Sequence, residues 1–290
     1  MSLPAQLVQR AGRDKPCPYS YSVVGCILNS MPPRTVRATR YVTPLREGGS
    51  LPAIVEADDD GLYVLKFRGA GQGTKALIAE LLAGELARAL GLPVPEIVFV
   101  ELGAELARTE PDPEIQDLIR ASAGLNLALD YLPGSIAFDP AAERVEATLA
   151  SAIVWFDAYT TNVDRTARNT NMLMWHRRLW LIDHGAALYF HHAWDNYQAR
   201  SRSPFKQVRE HVLLPYASEL TEADARLSPR VTQELIEGLL SLVPDGWLTS
   251  EARFADPKAH RAAYAEYLLA RLEAPREFVK EAADARVVSV

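Results

Sequence analysis

The residues whose types could do chemistry crowd into one stretch, Asn162 to Gly185, which reads N-V-D-R-T-A-R-N-T-N-M-L-M-W-H-R-R-L-W-L-I-D-H-G. Its middle has a hairpin pattern: an apolar run Met172 to Trp175, a polar tip His176-Arg177-Arg178, and a second apolar run Leu179 to Ile182. In an antiparallel hairpin the start of the first strand lies beside the end of the second. The start carries Asp164, Asn169 and Asn171, and the end carries Asp183. Carboxylates and amides therefore converge at one mouth, with Arg165 and Arg168 expected close by. Clustered carboxylates repel unless a cation sits between them. An oxygen-rich set of Asp and Asn suits a hard divalent ion such as Mg²⁺. That is the pattern of a phosphoryl-transfer site, in which one Asp and one Asn hold metal and another Asp takes the proton of an attacking hydroxyl.

Such a mouth needs a cationic group to meet the phosphates and elements to hold it. Leu62 to Phe67 reads as a strand in which Leu62, Val64 and Lys66 share one face, and Tyr63, Leu65 and Phe67 the other. A lysine in a strand buried on both faces needs a carboxylate or phosphate partner, or else its head snorkels out at the strand end. After the glycine-rich Arg68 to Gly73, a helix is expected from an N-cap at Thr74 to about Leu90, ended by Gly91 and the prolines beyond it. Within it Glu80 shares a face with Ala76, Ala83, Gly84 and Ala87, which lets it reach a charged partner, Lys66 being the candidate. Glu85 is expected on a solvated face. Gly48-Gly49-Ser50 lies between two expected strands, Thr35 to Val42 and Ala53 to Glu56. It is either a loop whose amides approach phosphate or an ordinary Gly-Gly turn. Further strands are expected at Pro95 to Glu101 and Leu125 to Tyr131. The second of these runs through Asp130, Tyr131 and Leu132 into Pro133-Gly134, either a hinge offering its backbone to a flat base or a plain strand–turn.

Glu146 to Thr161 is expected to be the helix that delivers the chain to Asn162, with Asp157 solvated or capping. Beyond Gly185, Asp195 to Gln207 reads as a mobile loop. Helices are expected at about 228–242, 249–254 and 257–272, with a last short one at 275–286. His191 and His192 near Asp195 invite a metal-hydrolase reading together with His184. Their spacing does not resemble ordinary soft-metal sites.

Composition sets outer bounds. The chain has 290 residues, 48% hydrophobic and 23% charged, which fits a globular protein with a large core. With 31 Lys and Arg against 37 Asp and Glu, the formal charge is −6, so non-specific nucleic-acid binding by the chain itself is not expected. Cys17 and Cys26 are the only cysteines, so disulfides do not hold the core and a cytoplasmic location is the simplest expectation. No apolar run is long enough for a transmembrane helix, and the start lacks a secretory pattern. Residues 1–33 read as a poorly patterned extension, residues 34–133 as a strand-rich lobe, and residues 134–290 as a helical lobe around the hairpin. The expected fold class is α+β and two-lobed, with a β-rich first lobe and a mainly helical second.

The order of parts resembles the protein-kinase-like superfold, and specifically the HipA-type kinase family. It is carried by Val64-Leu65-Lys66, Glu80, Asp164-Arg165-Thr166-Ala167-Arg168-Asn169 and Asp183-His184-Gly185. The catalytic loop also resembles that of phosphoinositide kinases, which begin it with Asp-Arg. The resemblance implies an ATP- and Mg²⁺-dependent kinase acting on a hydroxyl, with a protein serine or threonine as the expected acceptor. A lipid or small-molecule kinase and a silent nucleotide-binding pseudokinase are the alternatives. It implies that Lys66 meets the α- and β-phosphates and pairs with Glu80. Asp164 is the implied base, and Asn169 and Asp183 the implied metal ligands. The Gly48-Gly49-Ser50 loop would cover the phosphates, with Ser50 a loose match to a self-phosphorylated serine. His184 stands where protein kinases commonly have Phe, and Asn162-Val163 where they have His-Arg. The toxins of the family carry an added N-terminal region and a DNA-binding antitoxin partner, and this chain is short for that region.

Overall fold

Alternating strands build the first half of the chain. The computed structural model describes residues 32–45, 51–71 and 73–289. The leader, with its apolar patch at Val23 to Leu28, lies outside them, as do Gly48, Gly49 and Ser50. Strands β1 (Thr35–Pro44), β2 (Ala53–Ala57), β3 (Leu62–Lys66), β4 (Ile97–Leu102) and β5 (Gly124–Asp130) close into a barrel in the order β1-β2-β3-β5-β4. Antiparallel pairs make up the wall, and a parallel β1–β4 pair, Thr35 opposite Phe99, closes it. Period-two alternation sends Val36, Ala38, Val55, Tyr63, Leu65, Val98, Val100 and Ala128 into one apolar cluster. The same alternation leaves Lys66 on the other face of β3.

The outer face of β4 and β5 is apolar too. Ile97, Phe99, Leu127 and Leu129 join a second, larger cluster that also contains helix α1 (Thr74–Ala89) and most of the helical second half. Helix α1 is buried from Leu77 to Ala87 without a break, so it is wedged between the barrel and the helices rather than lying on the surface. Its N-cap is Gly73, whose side chain offers no acceptor, and not Thr74. Gly91 ends it with φ +83°, the left-handed turn that glycine adopts without cost. Gly84 lets the helix come close to β4, since a Cβ there would meet Ile97 Cδ1 at 2.4 Å.

After α2 (Pro113–Ala121) and β5, the chain passes the short strand β6 (Ile136–Ala137) into α3 (Ala147–Thr160), which is also buried all round from Ala150 onward. The hairpin follows as β7 (Met172–Trp175) and β8 (Arg178–Leu181), with β6 added at its edge. Its turn is two residues, His176 and Arg177, both at positive φ (48° and 61°), which matches the right-handed twist of the strands. Arg178 therefore belongs to the strand and not to the tip.

The remaining helices are α4 (Tyr197–Ser201), α5 (Leu220–Leu227), α6 (Gln233–Ser241), α7 (Asp245–Leu248), α8 (Pro257–Leu272) and α9 (Glu277–Ser289). The expected mobile loop at 195–207 contains α4 and the start of a 3-10 turn, Lys206–Glu210, anchored by buried Phe205 and Val208. The expected helix at 249–254 is absent; helix α7 forms a few residues earlier, because Trp247 and Leu248 are the apolar residues that bury. Among the described residues no helix is long and apolar enough to cross a membrane.

Candidate active site

Three distant elements meet at Lys66. Its ammonium lies 2.6 Å from Asp183 Oδ1 and 3.4 Å from Glu80 Oε2. The lysine side chain is 11% exposed and Glu80 is 1% exposed, whereas Asp183 is 38% exposed and faces outward. Burial opposes the charge on Lys66, but Glu80 and Asp183 outweigh it and hold the ammonium above its ordinary range. For Glu80 burial again favours the neutral form, yet Lys66, and then His184, bring the carboxyl down to about 2.

His184 fixes the other oxygen of Glu80. Its backbone N–H donates to Oε1 at 3.1 Å, and its ring Nδ1 lies 3.3 Å from the same atom. The buried imidazole rests edge-on against Phe156 of α3, at 6.2 Å between centroids. The residue after Asp183 thus ties the hairpin exit to the middle of α1. Glu85, expected in solvent, is buried one turn further on beside Arg88 at 3.1 Å, and burial raises its carboxyl.

The second group is built on the loop between α3 and β7. Asn169 Nδ2 donates to Asp164 Oδ2 at 2.8 Å, and Asn171 Nδ2 lies 3.3 Å from both the backbone oxygen and Oδ2 of Asp164. A tight turn shapes the loop, with Thr166 N–H on Asn169 O at 2.9 Å and Asn169 N–H on Thr166 Oγ1 at 3.3 Å. Asn169 spends its amide nitrogen on Asp164, so its oxygen Oδ1 is the atom suited to a cation. Asp183 keeps a second carboxylate oxygen beside the one on Lys66. The donor chemistry is all oxygen, which suits Mg²⁺ better than a soft metal. Thr161, Asn171, Asp183 and Leu188 all hold left-handed backbone, at φ 55°, 49°, 53° and 53°. Non-glycine residues adopt it only when surroundings force them, and such strain gathers at functional sites.

Two basic side chains expected at the mouth separate. Arg168 is exposed, but Arg165 turns inward and is buried against Asp157, Nε to Oδ2 at 2.6 Å. Asp157, expected to be solvated or capping, is fully buried. The signal was legible in principle, because a lone carboxylate inside an apolar helix must find a cation or donors. His211, which joins them, carries no such signal, since nothing in its sequence context sets it apart.

At the end of β5 the Asp130 N–H donates to Glu96 O at 2.8 Å and the Tyr131 N–H to Leu62 O at 2.9 Å, so both amides serve the barrel. Leu132 is buried in a small separate cluster with Trp180, backed by Leu173 and Trp175. This apolar floor joins the barrel exit to the hairpin. His191 and His192 lie elsewhere: buried His191 Nδ1 sits 2.9 Å from Tyr264 Oη. Among the described residues no group of three His, Cys, Asp or Glu side chains is placed to hold a metal ion, and His184 sits apart from His191, on Glu80.

A family model described as HipA-like kinase matches residues 39–281. Among solved structures, the crystal structure of a Helicobacter pylori proinflammatory kinase, CtkA, superposes with a TM-score of 0.52 at 12% identity, covering 88% of this chain and 99% of that one. The crystal structure of the Golgi casein kinase with Mn/ADP bound gives 0.47 at 11% identity, covering 89% of this chain and 74% of that one. No curated protein matches the sequence. The CtkA superposition shows a kinase fold, and the family match, spanning most of the length, places the activity class with it: the chain belongs to the HipA-like kinases.

Proposed function

We propose that this kinase transfers the γ-phosphoryl group of ATP, with Mg²⁺, to a protein serine or threonine hydroxyl. The observation that carries the reading is the convergence of Glu80, Lys66 and Asp183, from α1, β3 and the hairpin exit, on one ammonium. Residues 34–133 and 134–290 act as two lobes, and the nucleotide lies between them, its base over the Leu132, Leu173 and Trp180 floor beside Asp130 and Tyr131. Gly48, Gly49 and Ser50 are proposed to cover the phosphates. Lys66, kept charged by Glu80, meets phosphate oxygens. Asp183 and Asn169 supply oxygen ligands to the metal, which neutralises charge on the transferring group. Asp164, oriented by Asn169 and Asn171, accepts the proton of the acceptor hydroxyl. The protein acceptor rests on the family likeness.

The test is phosphoryl transfer from γ-labelled ATP by the purified chain, with autophosphorylation and a panel of protein acceptors as readouts. Asp164→Asn and Asp183→Asn are each expected to abolish it, with the fold intact by circular dichroism. One observation favours a silent module instead: Lys66 and Asp183 already satisfy each other at 2.6 Å. Calorimetric ATP binding without any transfer or hydrolysis would establish that alternative and overturn the kinase reading. Labelling of lipid or metabolite acceptors alone would move the acceptor class.

A further inference from the structure

Beneath the site lies a fully buried polar network that the chemistry proposed above does not use. Asp157, on α3, accepts from three side chains. Asn162 Nδ2 donates to Oδ1 at 2.9 Å, while Arg165 Nε and His211 Nε2 donate to Oδ2 at 2.6 and 3.0 Å. Burial disfavours its charge, but Arg165 and the His211 hydrogen bond outweigh that and hold the carboxyl well below the usual range. His211 Nδ1 accepts the Leu213 N–H at 3.0 Å, so the ring proton sits on Nε2, the atom facing Asp157.

Two arms leave this network. Asn162 Oδ1 accepts the backbone N–H of Asp164 at 3.2 Å. Arg165 Nη1 donates to Asn171 O at 2.5 Å and reaches Ile182 O at 3.5 Å. Asn171 flanks the Asp164 cluster, and Ile182 immediately precedes Asp183. The Ile182 N–H returns to the same Asn171 oxygen at 3.0 Å. One guanidinium therefore holds the two segments that carry Asp164, Asn169 and Asp183. We infer that Arg165, oriented by Asp157 and His211, is the positioning residue that sets the separation of the proposed base from the proposed metal ligands.

A buried ion pair is weak ground for stability, since well-packed apolar residues often replace one without loss. Among the described residues Arg165 Nη2 is buried with no hydrogen-bond partner. The geometry serves placement: Nε is fixed on Asp157 while Nη1 of the same rigid plane reaches both carbonyls, a fixed spacing between carboxylate and carbonyls that a lysine's single nitrogen does not provide. Misplacing a reacting group by about 1 Å costs an enzyme roughly 100-fold.

The inference rests on the proposed phosphoryl transfer, so its test has two readouts in the full-length chain. In Arg165→Lys, kcat is expected to fall about 100-fold, with the KM for ATP changed by less than about threefold, because nucleotide contacts lie elsewhere. The Mg²⁺ concentration for half-maximal rate rises. In the same variant, amide hydrogen exchange speeds up together in segments 162–171 and 181–184, while the barrel strands are unchanged. Should Arg165→Lys fail to fold, His211→Gln, which can still donate to Asp157, carries the exchange readout. It is expected to loosen both segments by a smaller factor. Retention of kcat within threefold overturns the inference, as does exchange that accelerates throughout the molecule or in one segment alone. If the wild-type chain transfers no phosphate, the kinase reading falls, and joint loosening of the two segments still decides whether the clamp exists.

Discussion

Replacing Glu80 with glutamine separates charge from shape at the site. The glutamine amide can keep its oxygen on the His184 N–H and ring, now 3.1 and 3.3 Å from Oε1, so those contacts survive. What disappears is the negative charge 3.4 Å from Lys66. Coulomb attraction at that separation is about 5 kcal/mol with an effective dielectric of about 20. Much of it offsets the desolvation of Glu80 itself, and Lys66 retains Asp183. Breaking a buried pair outright costs about 3–5 kcal/mol, so with one partner left the expected loss is about 2 kcal/mol. Urea unfolding measures it. Function should respond as well. With the Glu80 charge removed, Lys66 leans wholly on Asp183 and competes with the metal for that carboxylate, so the Mg²⁺ needed for half-maximal transfer is expected to rise. Glu80→Ala also strips the His184 donors of their acceptor, adding about 1–3 kcal/mol for a buried unpaired group. A Glu80→Gln chain within about 0.5 kcal/mol of wild type, with unchanged Mg²⁺ dependence, would refute the argument that this pair governs the site.

Arg271 of α8 is buried and donates to four carbonyls: Ala158 at 2.7 Å, Tyr159 at 2.9 Å, and Ser201 and Ser203 at 3.0 Å each. Two of these end α3, so the cation sits at the negative end of the helix that leads to the Asp164 loop. Hydrogen bonds to charged groups are worth about 1.5–3 kcal/mol each, so Arg271→Met is expected to cost at least about 4 kcal/mol in urea unfolding. A loss below about 1 kcal/mol would contradict this account of α3. His191, His192 and His260 are each held below the ordinary value of 6.5, mainly by burial and also by the Lys75 charge. An unfolded chain binds more protons than the folded one in that window, so stability is full above about pH 6.5 and falls as the pH drops below it. Thermal melts between pH 7.5 and 5.5 should show the midpoint decreasing, and a flat profile would show that these rings do not titrate differently on unfolding.

The elements were legible where one periodicity ruled. Strands β1 to β5 and helix α8 lie where alternation, or a proline start, places them. Lys66 and Glu80 were readable as a pair because a charged residue on an otherwise apolar element needs a partner. The failures share a cause. Asp157, Arg165 and Glu85 look like surface charges in a linear string, and only packing reveals that α1 and α3 are covered on all sides. Neighbouring charges then have to pair inward, as Arg165 does with Asp157 rather than with the mouth. The contact of Arg165 with Ile182 O spans a hairpin, and backbone acceptors leave no mark in sequence.

Helix α1 explains why the site can hold three charges in register. Its N-terminal Lys75 ties to His191 O at 2.9 Å and to Glu251 at 3.0 Å. Its middle is fixed through Glu80 to His184. Its C-terminal carbonyls, Leu90 O and Ala89 O, accept from Arg230 at 2.8 and 2.9 Å. Between these ties the helix buries apolar side chains toward β4 and β5 on one side and toward α6 and α7 on the other. A helix lying on a surface could swing at the cost of its polar contacts alone. Swinging α1 would also expose both apolar faces, at roughly 25 cal/mol for each Å² uncovered. The Lys66–Glu80 contact is therefore set by core packing, and the partner in this trio that is open to solvent is Asp183.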